Sequence, residues 1–92
     1  MSANLSSTNR TLADLSAGQA GIVTELHSQG PVRRRMMDLG IVPGTFIRVE
    51  MKSPMGDPVA YRVRGALVAL RHEQARLVSI TDAPIEKGNQ EL

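Results

Sequence analysis

At 92 residues, 41% of them apolar and 22% charged, the chain is the size of one small domain with a single core. It contains no cysteine, which excludes disulfides and thiolate metal sites, and no apolar run approaches the roughly 20 residues that span a bilayer. Charge is uneven around the net +2: residues 11–80 hold nine Arg or Lys against six Asp or Glu, a balance of +3, and residues 81–92 hold one Lys against three acids, a balance of −2.

Residues 1–10 are polar and aperiodic, so they read as a disordered extension without the apolar core of a secretory signal. Leu12 and Leu15 then predict a short turn docked on the core. The run from Gly21 to His27 is rich in β-branched residues and predicts a strand with Ile22, Thr24 and Leu26 on one face. Gly30-Pro31 opens a helix of about nine residues, since proline suits the first helical position. Val32, Met36 and Leu39 form its apolar stripe at i, i+4 and i+7. Gly40 is placed to end it with positive φ, so that Ile41 folds back.

Pro43-Gly44 is a turn signal. From Thr45 to Lys52 the pattern alternates, with Ile47, Val49 and Met51 expected inward and Phe46, Arg48, Glu50 and Lys52 outward. Ser53 to Pro58 is a loop in which Gly56, Asp57 and Pro58 supply turn geometry. Val59, Tyr61 and Val63 alternate again. Gly65-Ala66 is expected to make a two-residue hairpin turn with glycine leading. Residues 67–70 return as a strand, residues 71–76 make one helical turn, and residues 77–80 close the domain. Residues 81–92 read as a flexible tail. The expectation is a mainly β protein: a small SH3-like barrel of about five strands with one short helix. A sandwich would need more strands.

The run Gly30-Pro31-Val32-Arg33-Arg34-Arg35-Met36-Met37-Asp38-Leu39-Gly40-Ile41-Val42-Pro43-Gly44 resembles the signature of the FeoA family. Its elements are an Arg-rich helical turn, a hydrophobic pair, and Leu-Gly-hydrophobic-x-Pro-Gly. Pro54-Met55-Gly56-Asp57-Pro58 resembles the family's second motif. Leu67-Val68-Ala69-Leu70-Arg71 with Ala75 resembles the third, and Leu12-x-x-Leu15-x-x-Gly18 fits the opening. The four stand in order and cover nearly all of residues 11–80. The resemblance implies an SH3-like barrel, a cytoplasmic setting and a non-enzymatic role in ferrous iron uptake. It also implies a partner, FeoB, a membrane iron transporter with a cytoplasmic GTPase domain. A related domain ends iron- and manganese-dependent repressors, so a metal-responsive regulatory domain of that kind is an alternative reading; no helix-turn-helix is expected before it here, which makes a stand-alone FeoA the better match. The polar N-terminal extension and the acidic tail depart from the family pattern.

The residues themselves support binding better than catalysis. No nucleophile–base pair or paired-carboxylate motif stands out, and no cofactor site is expected. His27 and His72 fall on different elements, as do Asp57 and Glu73. Neither histidine has a second ligand at helical spacing, so no metal site is expected. One Phe and one Tyr cannot line a groove for proline-rich peptides. Arg33, Arg34 and Arg35 span about 200° of helix, which fits a solvated surface or a basic rim facing an acidic partner. Met37, Phe46 and Met55 fall off the predicted apolar stripes. They either complete the core from its flanks or form a docking patch, and Arg33, Arg34, Met37, Phe46 and Met55 are the candidate partner-docking residues. The structural turns are assigned to Gly40, Pro43, Gly44, Gly56, Asp57, Pro58 and Gly65. A second function class, a basic nucleic-acid-binding barrel, would use Arg48, Arg62 and Arg64 on the outward strand face. The scarcity of stacking aromatics tells against it.

Overall fold

The structure, a computed structural model, describes residues 10–83. The expectations for residues 1–9 and 84–92 lie outside the described residues. Thr11 opens the fold by capping a 3₁₀ turn, Leu12–Asp14. Its hydroxyl accepts the Ala13 N–H at 3.2 Å, and its own N–H donates to the Asp14 carboxylate at 2.9 Å. This reciprocal cap fixes a turn that is too short to hold by itself. The cap places Leu12 and Leu15 in the core.

Strand β1 (Ala20–Leu26) follows, then helix α1 (Gly30–Asp38). Strands β2 (Phe46–Lys52), β3 (Val59–Val63) and β4 (Ala66–Leu70) form a meander. A single helical turn, α2 (His72–Ala75), leads to β5 (Val78–Asp82). The five strands make one antiparallel sheet in the order β4-β3-β2-β1-β5. The fold is therefore mainly β, as the sequence indicated, and the core draws side chains from all five strands, from α1 and from the opening turn. β5 runs two residues past Ile80. Arg10 also belongs to the fold, because its carbonyl accepts the Ile80 N–H at 2.9 Å and its guanidinium meets Asp82 at 2.6 Å.

Two bulges correct the predicted facing of side chains. The β1–β5 register shifts between Val23 and Glu25, and the β2–β3 register shifts between Val49 and Met51. A bulge inserts one residue and reverses the alternation beyond it. Val23 is thus buried and Thr24 exposed, while Leu26 returns to the core. Met51, expected inside, is 61% exposed. The hairpin turn also moves. Val63 pairs with Ala66, so Arg64 and Gly65 are the central residues, with φ of 50° and 87°. Two positive φ values mark a primed turn that matches strand twist.

Helix α1 begins at Gly30-Pro31 as expected and ends in a Schellman motif. The Gly40 N–H donates to the Met37 carbonyl and the Ile41 N–H to the Met36 carbonyl, both at 2.9 Å. Gly40 has φ of 91°, which admits glycine at little cost. The motif turns Ile41 into the core beside Met36. Val32 is the exception on the predicted stripe: it stays exposed, whereas Met36 is buried and Leu39 packs against the core.

Candidate functional site

The outer side of α1 carries an open groove of about 360 Å³, lined by Gly30, Arg33, Arg34, Met37 and Asp38. These positions recur at i, i+3, i+4, i+7 and i+8, which is one helical face. Met36, buried one position before Met37, pins the other side of the helix to the core. The Arg33 guanidinium donates to the Leu26 carbonyl at 3.0 Å and ties the helix to the end of β1. Arg33 is therefore partly structural. Arg34 and Arg35 have no ion pair among the described residues. Met37 is 48% exposed and shares the groove with Arg33 and Arg34. That combination suits a partner that offers an apolar side chain beside carboxylates.

The five candidate docking residues do not all meet. Arg33, Arg34 and Met37 share the groove, whereas neither Phe46 nor Met55 lines it. Phe46 stands outward at the start of β2, opposite Ile22, and Met55 is at the tip of the β2–β3 loop. Sequence reasoning missed Met51 and Leu67, both largely exposed. Leu67 had a signal, since it is out of phase with Val68 and Leu70. Met51 had none, because its facing depends on a bulge.

The other groups noted in the sequence have local partners. Pro43 and Gly44 lie in the turn before β2, and Gly56, Asp57 and Pro58 in the loop before β3. The Asp57 carboxylate accepts the His72 N–H at 2.8 Å. A loop residue thus satisfies the first turn of α2 from fifteen positions away. The His27 imidazole hydrogen-bonds the Ser79 hydroxyl at 2.8 Å. Among the described residues, no three His, Asp or Glu side chains converge as metal ligands would. Arg48 and Arg62 stand opposite each other on β2 and β3, and Glu50 accepts a hydrogen bond from each at 3.3 Å. The Arg62 hydrogen bond, assisted by its charge and by Arg48, holds the Glu50 carboxyl below the usual range against partial burial. Arg64 reaches over Gly40. The three arginines of the nucleic-acid reading therefore do not form one open row for phosphates.

The FeoA domain family matches residues 10–82. A Porphyromonas gingivalis protein described as an Fe(2+) transport protein A/Fe(2+) transporter FeoB fusion is 32% identical over 69 residues. The match covers 75% of this chain and only 8% of the fusion protein's length. The solution structure of FeoA from Chlorobium tepidum superposes with a TM-score of 0.78 at 32% identity, covering 87% of this chain and 76% of that one. The FeoA of Stenotrophomonas maltophilia, solved with zinc and described as a prokaryotic SH3 domain protein, gives 0.68 at 29% identity. That match covers 77% of this chain and 88% of the other. The five-stranded antiparallel sheet, the short Arg-rich helix and the family match over residues 10–82 agree: the chain belongs to the FeoA family, with its SH3-like fold.

Proposed function

We propose that the chain is a small non-enzymatic accessory protein of ferrous iron uptake. It works in the cytoplasm by docking the groove of α1 on the cytoplasmic part of a FeoB-type transporter. The observation that carries this reading is the Porphyromonas gingivalis relative, in which an FeoA-like segment and a FeoB transporter are one polypeptide. Fusion of two functions in one chain supports association where they are separate. The groove supports the placement, because its Arg34 and Met37 are not used by the fold. No helix among the described residues is long and apolar enough to cross a membrane, so a link to the bilayer through the partner is consistent.

The test is binding of the purified chain to the cytoplasmic domain of the FeoB from the same cell, in the apo, GDP and GTP states. Met37→Asp, at an exposed position, is expected to keep stability within about 0.5 kcal/mol and to weaken binding at least about tenfold. Unchanged affinity in folded Met37→Asp removes the groove as the site. No binding of the natural chain in any nucleotide state removes docking on that domain.

A further inference from the structure

Strand β4 ends the sheet on one side, and among the described residues it pairs only with β3. The opposite edge is covered, since Thr11 bridges Ser79 and Arg10 accepts from Ile80. Antiparallel ladders alternate hydrogen-bonded and non-bonded pairs, and the pair flanking a two-residue turn is bonded. Ala66, Val68 and Leu70 therefore spend their backbone groups on Val63, Tyr61 and Val59. The N–H and C=O of Leu67 and Ala69 point out of the sheet, and no loop or turn hydrogen bond among the described residues reaches them.

Natural edges are guarded by charge, proline, bulges or covering segments. β4 reads Ala-Leu-Val-Ala-Leu, and neither bulge of the sheet falls on it. Its Leu67 side chain is 54% exposed.

We infer that this edge is a self-association site, where β4 of a second copy pairs antiparallel about a two-fold axis through Val68. In that register Leu67 stands opposite Ala69 of the second copy, and Ala69 opposite its Leu67. Every outward N–H and C=O then closes, as four backbone hydrogen bonds in all. A two-fold axis through Leu67 or Ala69 instead would close fewer. Large meets small across the seam, and the two leucines become diagonal neighbours that cover each other. Further in, Arg62 stands beside Leu67 and Ala60 beside Ala69. Each row across the seam thus carries one arginine, never two face to face. An uncharged five-residue edge gives a charged foreign strand little to select, whereas a copy of itself matches it in length and pattern. The interface is small, so the dissociation constant falls on the order of 0.1–1 mM.

Sedimentation equilibrium on the full chain, from about 20 µM to about 2 mM, reads the association over the range that a small interface implies. Dimer is expected to rise with concentration, with amide shifts of Leu67 and Ala69 moving in step. Leu67→Lys and Ala69→Lys place charge at exposed edge positions, and each is expected to weaken association at least about tenfold while the fold persists. The inference is overturned if the natural chain stays monomeric at the highest concentration. It is also overturned if a folded Lys variant associates as the natural chain does, or if the shifting amides lie on α1 instead.

Discussion

The Tyr61 hydroxyl reaches the Leu12 carbonyl at 3.5 Å inside the core. Burial, with the Asp57 charge adding to it, pushes its pKa up to about 12 from 10.0. The fold therefore favours the neutral phenol. Unfolded chains lose that proton first as pH rises, so this stabilisation is complete below about pH 10 and is lost as pH climbs towards 12. Its size is roughly 2–3 kcal/mol. Denaturant titrations between pH 9 and 12 are expected to show that decline, and Tyr61→Phe is expected to flatten it. Glu50 acts in the other direction: its lowered pKa adds stability above its ordinary 4.5 that is lost as pH falls through the folded value. At this scale the sequence was legible wherever alternation ran unbroken. Val59, Tyr61 and Val63 share one face by their alternation and are all buried, and Phe46, on the polar face of its strand, is exposed. The exposure of Val32 was not legible, because helical spacing names a stripe without saying which of its positions are covered.

Helix α1 was readable from end to end, since proline and glycine act on φ alone and need no knowledge of neighbours. The strands were readable in number, but not in every facing. One extra residue in β1 and one in β2 reverse the pattern, and nothing in the alternation of either strand marks the spot. The turn at Arg64-Gly65 was misplaced by one residue because Gly65-Ala66 also satisfies a primed turn. The role of Asp57 was hidden for another reason. The sequence shows a turn residue, whereas the structure shows a carboxylate that also holds the N–H of His72 at the start of α2. Asp57→Ala is expected to cost about 1 kcal/mol. Faster hydrogen exchange at the His72 amide relative to the β2–β3 ladder would locate the loss. Unchanged protection there would mean that the tether is not what holds α2.

For the molecule as a whole, the meander from β2 to β4 is local, but β5 must return to β1 from the far end of the chain. Closure depends on the opening turn as much as on the strands. Leu12 is fully buried among core residues, and the chain just before it lies along β5. Leu12→Ala is expected to cost about 2–4 kcal/mol in urea unfolding. A cost under about 0.5 kcal/mol, the ordinary surface value, would show that the sheet closes without it. The candidate groove was only half legible: the helical spacing that brings Arg33, Arg34 and Met37 together could be read off, but the separation of Phe46 and Met55 needed the fold.

Glu50 has a consequence for how the molecule meets others in solution. One carboxylate held between two guanidiniums leaves the outer sheet less positive than its arginines suggest. On α1, Arg34 and Arg35 have no ion pair among the described residues, so the helix keeps positive charge of the kind that the outer sheet gives up to Glu50. Among the described residues, positive charge on α1 is thus less compensated than on the outer sheet. An acidic surface drawing near exerts a torque that turns the helix towards it before any side chains touch, so the approach is oriented while the two are still apart.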